Sequence, residues 1–222
     1  IGHLIEGLRQ RYADLANVLD HLKVVQDDLV ENAEQFLAHE QSGSDNPLEQ
    51  VQRHLTETGP FFDRYRVNPI VERTSDSGAP VIEEGHPTLP NLIGRVEYRQ
   101  QLGALVTDFT LIKGGALHRA NGGYLILDAR RVLLQPYAWE ELKRTLRARA
   151  IEIRSLSEVV GFFSTVALEP EPIPLEVKVV LLGDRLLYYL LSALDPDFRE
   201  LFKVAADFDD AAARSAESER AY

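Results

Sequence analysis

The stretch that decides the fold reads Lys113-Gly114-Gly115-Ala116-Leu117-His118-Arg119-Ala120-Asn121-Gly122-Gly123-Tyr124-Leu125-Ile126-Leu127-Asp128-Ala129. Tyr124 to Leu127 is an unbroken apolar run between a glycine pair and an acid. A run without polar alternation predicts a central strand buried on both faces, as in a parallel sheet. Val177 to Leu182, closed by Gly183-Asp184, is a second such run. Between them, Pro136 to Arg149 predicts a helix with proline in its first turn. Strand, helix and strand in this order predict an α/β core with a parallel sheet. Ile151, Ile153 and Phe162 to Leu168 read as shorter strands, and Glu169 to Pro174 as a stiff extended loop. Leu186 to Leu194 reads as a helix, and Asp195-Pro196 opens a shorter one through Phe202. After Asp209 the alanine-rich tail is helical by propensity.

Upstream of that core, residues 66–84 predict a β-hairpin. Val67, Ile70 and Val71 on one side and Val81 and Ile82 on the other flank the turn cluster Ser75-Asp76-Ser77-Gly78. His86 to Gly94, with two prolines, reads as an extended connector. Residues 1–58 have a different pattern. Leu4, Leu8, Tyr12, Leu15, Leu19, Leu22, Val25, Leu29, Ala33 and Phe36 recur at steps of three or four, which predicts one stripe of a long amphipathic helix. Gln41 to Pro47 is a breaker cluster. Leu48, Val51 and Leu55 then suggest a shorter second helix, ended by Gly59-Pro60. Such a pair cannot bury its stripe alone. It reads as a structural helical hairpin or, on the alternative reading, as an interaction arm.

Composition narrows the function classes. The chain has 222 residues, 45% apolar and 27% charged, which is ordinary for a globular protein. A chain of this length buries roughly 70% of its unfolded surface. The formal net charge is −11, and residues 1–58 carry −7 of it. That balance argues against binding a phosphate backbone, so no nucleic-acid partner is expected. No run of about 18 apolar residues occurs, so no membrane span is expected. The absence of cysteine removes thiol catalysis, disulfides and thiolate metal sites, and fits an intracellular protein. The opening Ile1-Gly2-His3 suggests an internal piece of a longer protein.

Few residues carry chemistry. Asp128 follows an apolar strand directly, where the carboxyl end of a parallel strand opens at a ligand crevice and a carboxylate can hold Mg²⁺ or its water. An active ATPase of that kind places a second acid next to polarise water. Here the next residue is Ala129. Asp184, after the second strand, either senses a γ-phosphate or caps the following helix, and the cap is the better reading. Arg199 either acts in trans on a neighbour's nucleotide or joins a surface ion pair. The glycines at 114–115 and 122–123 are no Walker-type loop, because no glycine-lysine-hydroxyl string follows. They read as structural turns. The six histidines show no metal spacing, and no serine sits in a nucleophile elbow. No metal site is expected.

The string Asn91-Leu92-Ile93-Gly94-Arg95, followed by Gly114 through Asp128, resembles Lon-like proteases whose AAA+ module is interrupted by a long helical insertion. Val179 to Asp184 and Phe198-Arg199-Glu200-Leu201-Phe202 follow in the expected order. Gly2-His3-Leu4-Ile5 resembles the end of the insertion. The likeness is strong from 86 to 210 and looser before it. It implies a helical hairpin insertion at 1–58, the second half of an AAA+-like (P-loop-type) α/β core at 59–210, and the start of a following helix at 211–222. It makes Asp128 the Walker B-like residue, Asp184 the sensor-1-like residue, and Arg199 the arginine-finger candidate, with Lys203 as its neighbour in that role. The family forms hexameric rings of endopeptidases with a Ser–Lys dyad that degrade unfolded or damaged protein in the cytoplasm. Neither the dyad nor a Walker A loop occurs in this chain, so no catalytic residue is expected here. For the parent, ATP and Mg²⁺ are implied, but Ala129 argues against hydrolysis, and none is expected for this stretch alone. The alternative is a non-enzymatic interaction module on a degenerate AAA+ scaffold.

Overall fold

A computed structural model describes residues 2–34, 64–73, 78–101, 104–154 and 168–208. The chain falls into two compact units, Ile1–Val67 and Asn68–Tyr222. The expected short helix at 48–55, the boundary at 58/59, most of the expected strand at 162–168 and the tail at 211–222 lie outside the described residues.

In the first unit the single long helix is broken. α1 spans Gly2–Arg11 and α2 spans Ala16–Glu31. Leu15, at φ −114° and ψ 89°, leaves the helical region. The break lets α1 fold onto α2, and Arg9 Nη2 donates to Gln26 Oε1 at 2.9 Å. In α2 the predicted stripe holds, with Leu19, Leu22, Val25 and Leu29 all half-buried. In α1 it does not: Ile5 is buried, while Leu4 and Leu8 are exposed. Asp28 ties α2 to the end of the unit by accepting from Tyr65 Oη at 2.5 Å and Arg64 Nη1 at 3.1 Å.

The second unit is built on three parallel strands, β1 (Val81–Glu84), β6 (Tyr124–Asp128) and β9 (Lys178–Leu182), in the order β1-β6-β9. Val81 pairs with Tyr124 and Tyr124 with Lys178. The strand predicted to be central is central. The hairpin predicted at 66–84 does not form. Residues 66–73 hold no strand, and Val81 to Glu84 joins β6 in parallel. A lone two-stranded ribbon is marginal in water, whereas β1 packs Ile82 against the core.

Between β1 and β6 the chain makes a long excursion. α3 (Leu89–Ile93) replaces the expected extended connector, started by Thr88, whose side chain accepts from Asn91 N, and by Pro90 in the first turn. A two-limbed hairpin follows, β2 (Arg95–Val96) with β3 (Arg99–Gln101) going out, and β4 (Ala104–Val106) with β5 (Ile112–Lys113) coming back. Both ladders are antiparallel, β2 with β5 and β3 with β4. α4 (Ala116–Ala120) leads into β6. After β6 come α5 (Ala129–Leu134) and α6 (Ala138–Ala148). β7 (Ala150–Ile151) pairs antiparallel with β8 (Ile173–Pro174). β9 is followed by α7 (Arg185–Leu194) and α8 (Phe198–Leu201).

The core lies on one face of the sheet. Leu125 and Leu127 are fully buried there with Leu92, Leu117, Val132 and Leu142. The other face differs from the sequence expectation. Val81 is 63% and Leu182 52% exposed, and among the described residues no element covers them. The apolar run therefore reports a parallel strand correctly but only one of its faces is buried.

β1 and β6 approach through glycine. A Cβ on Gly123 would lie 2.1 Å from the Pro80 carbonyl oxygen, which accepts from Tyr124 N at 2.8 Å. Gly7, in α1, has open space around it. Gly123→Ala is expected to destabilise the α/β unit by about 3 kcal/mol, read in urea denaturation by the fluorescence of Trp139, the sole tryptophan. Gly7→Ala is expected to stabilise the helical unit by about 1 kcal/mol, read by circular dichroism.

Candidate functional site at the carboxyl edge of the sheet

Because all three strands are parallel, their carboxyl ends share one edge, where open α/β sheets hold ligands. Glu84, Asp128 and Asp184 reach that edge. Each is already employed. Glu84 Oε2 accepts from Arg119 Nη2 at 2.9 Å, and Oε1 accepts from His86 N at 3.0 Å. Asp128 Oδ1 accepts from Arg131 N at 2.8 Å and so caps α5. Arg131 in turn donates from Nη1 to Gly85 O at 2.9 Å, tying the end of β1 to α5. Asp184 Oδ1 accepts from Leu187 N at 2.8 Å and caps α7, the reading preferred from sequence. Asp128 and Asp184 are both exposed. Among the described residues Oδ2 of Asp128 has no hydrogen-bond or ion-pair partner.

Ala129 is buried beneath the next strand's end. A Cβ on Gly183 would meet the Ala129 Cβ at 3.3 Å. The position after the strand acid thus packs against backbone and supplies no group that could polarise water. Among the described residues no three acids or histidines gather into a metal-binding cluster. Of the parts an ATP–Mg²⁺ site needs, the edge presents, among the described residues, one free oxygen on each of Asp128 and Asp184 and no lysine-bearing phosphate loop.

The glycine-rich motif has a structural explanation. A Cβ on Gly115 would lie 2.3 Å from Leu92 O, and one on Gly114 2.5 Å from Ile70 Cγ2. Gly122 sits at φ +80°, a region L-residues avoid. Gly115 thus admits neighbouring backbone, Gly114 the Ile70 side chain, and Gly122 a left-handed turn. Asn121 completes the turn. Its Nδ2 donates to Pro174 O at 2.8 Å, and its Oδ1 accepts from Glu176 N at 2.8 Å. Neither Asn121 nor His118 stands out in the sequence, since each sits inside the glycine-rich string without a recognisable chemical motif. The buried His118 ring, 4% exposed, accepts at Nδ1 from Gly115 N at 3.2 Å. Its Nε2 is buried without a hydrogen-bond partner among the described residues. Desolvation, and then the nearby Arg119 charge, push its pKa down to about 4.

Arg199 lies on α8, exposed, and no ion pair holds it among the described residues. Lys203 is likewise exposed just beyond. No described contact joins either to Asp128 or Asp184. What α8 does have is a firm seat. Phe198 stacks on Phe202 with centroids 5.3 Å apart, and Trp139 stacks on Phe202 at 5.8 Å. Asp195 Oδ2 accepts from Trp139 Nε1 at 2.7 Å and from Lys143 Nζ at 2.9 Å. Lys143, only 6% exposed, also reaches Asp197 at 3.5 Å and Glu140 at 3.0 Å. Burial opposes its charge, but the bonds to Asp195 and Glu140 outweigh that and hold its pKa above the ordinary lysine value. Beside this latch runs an open groove of about 490 Å³ walled by Leu133, Leu187, Leu190, Leu191 and Leu194.

Comparisons with known proteins agree with the resemblance seen in the sequence. The family model for the LonB-like AAA domain matches residues 77–209. A protein of Escherichia coli (strain K12), described as a putative Lon protease homolog, is 30% identical over 118 residues. That match takes in 52% of this chain and 19% of the relative, so the chain spans about a fifth of the curated protein it matches. A crystal structure of NtrX from Brucella abortus aligns with 84% of this chain and 43% of its own, at 17% identity and a TM-score of 0.34. A likeness that loose carries no argument.

Two outcomes follow from the geometry. The folded pKa of His118, about 4, lies below the usual value of 6.5. The unfolded chain therefore takes the proton first. Stability is full above about pH 6.5 and falls as pH drops toward 4, by roughly 3 kcal/mol for this group. His118→Gln is expected to flatten that part of the profile, measured as urea midpoints at successive pH values. Lys143→Ala leaves Asp195 half-buried without its cation and is expected to lower unfolding stability by about 3–5 kcal/mol. Adding Asp195→Asn should recover part of the loss in a double-mutant cycle.

Proposed function

The chain belongs to the LonB-like AAA domain family, and from that premise we propose that it is the ring-building and substrate-delivering part of a Lon-like serine endopeptidase. The observation that best supports this reading is the family match laid over a parallel sheet. That match covers the strand ending in Asp128, the strand leading to Asp184 and the helix carrying Arg199. On this reading the parent assembles as a homohexameric ring in the cytoplasm and degrades unfolded or damaged polypeptide. A Ser–Lys dyad outside this chain cuts the peptide bond, and no cleavage chemistry resides in the residues described here. No nucleic-acid or membrane partner is assigned. Among the described residues no helix is long and apolar enough to cross a membrane.

Nucleotide chemistry is the degenerate part of the proposal. Bound ATP–Mg²⁺ would supply a conformational cycle to the parent, with Asp128 Oδ2 as the group offered to the metal or its water. Asp184 would face the γ-phosphate and Arg199 a neighbour's nucleotide. Ala129 offers no carboxylate to orient the attacking water. The chain therefore shapes the ring without hydrolysing ATP efficiently.

The test is casein degradation by the parent polypeptide, with and without ATP–Mg²⁺, beside its Asp128→Ala variant. Equal cleavage in all conditions is expected, with no cleavage by the 222-residue chain alone. An acceleration by ATP that Asp128→Ala abolishes would make Asp128 a working carboxylate and refute the degenerate reading. A parent that cleaves under no condition would favour the rival, a non-enzymatic interaction module on an AAA+ scaffold, for which the acidic helical unit is the docking arm.

A further inference from the structure

Residues 68–73 form neither helix nor strand, yet they are fastened at three points. Asn68 Nδ2 donates to two carbonyl oxygens on the returning limb of the hairpin, Phe109 O at 2.8 Å and Ile112 O at 2.9 Å. Ile70 packs directly over Gly114, whose missing Cβ would sit 2.5 Å from Ile70 Cγ2. Arg73 Nη2 donates to Arg119 O at 3.3 Å and to Asn121 O, closing the carboxyl end of α4. Glu72, between them, is exposed and makes no contact of this kind among the described residues.

All three fastenings grip the excursion between β1 and β6, on either side of one joint. Among its described residues the hairpin contributes none to the buried core. It holds together by two ladders of two and three residue pairs. Glu97 N also donates to Leu111 O, and Thr107 Oγ1 to Glu97 O. A two-stranded element of that size does not fix its own position. Its limbs meet the body at glycines, Gly94 at φ +91° on one side and Gly114-Gly115 on the other. The segment 68–73 crosses the second of these joints.

We infer that residues 68–73 are a strap that holds the hairpin in one orientation on the α/β unit, and that opening the Asn68 or Arg73 fastening frees the hairpin while the sheet stays intact. The strap begins at the residue after Val67, where the helical unit ends.

Hydrogen–deuterium exchange of the full chain tests it, with Asn68→Ala, Asn68→Asp and Arg73→Ala beside Glu72→Ala as control. Asn68 binds carbonyl oxygens and covers no amide of the ladders, so faster ladder exchange would report motion of the hairpin rather than loss of a direct bond. Peptides spanning 95–113 are expected to exchange about tenfold faster in both Asn68 variants. Arg73→Ala should accelerate peptides over 116–123 as well. Strands β6 and β9 should keep their wild-type rates in every variant. Hairpin rates in the Asn68 variants equal to those of Glu72→Ala would overturn the inference. So would equal acceleration in β6 and β9, which would make Asn68 a residue of global stability rather than a fastening.

Discussion

The α/β unit depends on how closely two pieces of backbone approach at Gly123. The Pro80 carbonyl stands where any side chain at that position would be, and it is the first acceptor of the β1–β6 pairing. That contact brings in β1 from the far side of a forty-residue excursion and sets its register, Val81 on Tyr124. Register then decides which residues of all three strands face the core, since a slip of one residue would turn Leu125 and Leu127 outward. Gly115 repeats the device against Leu92 O at the base of α3. The glycine-rich motif is thus a set of close approaches, and its polar members complete them. His118 holds the Gly115 amide, and Asn121 holds the strand entering β9.

Parts of this were legible from sequence because they rest on local periodicity. β6 and β9 are uninterrupted apolar runs, and α6 and α7 start and stop close to where their patterns do. What was not legible depends on distant partners. Val81 and Ile82 look like one arm of a hairpin because Ser75-Asp76-Ser77-Gly78 is good turn chemistry; their actual partner lies about forty residues later. The hairpin of β2 to β5 left no signal, since Arg95 to Gln101 is polar and its ladders are short. The break between α1 and α2 carries no glycine or proline, so propensity had no reason to place it. Burial on one face only is likewise invisible in Tyr124 to Leu127, because an apolar run does not say what covers it.

At the carboxyl edge the sequence places two acids at strand ends but does not show their prior engagements. Asp128 and Asp184 fall at the ends of neighbouring strands, and each gives one oxygen to a helix amide. A capping carboxylate is fixed in rotamer and keeps its second oxygen free, so a cap and a ligand role are compatible in one residue. The two aspartates therefore remain candidates on the same geometry that makes them caps. Ala129 is different. It is buried beside Gly183 at the end of β9 and brings no second carboxylate to the edge.

The seat of Arg199 follows the same logic of borrowed order. α8 has four residues, too few to be helical by its own hydrogen bonds. Its direction comes from outside it, through Phe198 in the aromatic stack and through Asp195 held by Trp139 and Lys143. A buried ion pair adds little net stability compared with apolar packing of equal volume, but it is selective for geometry. A leucine at 143 could slide along the groove formed by Leu187, Leu190 and Leu194; an ammonium bonded to Asp195 and Asp197 cannot. The direction of α8, and with it the position of Arg199, is thus set by a lysine on another helix.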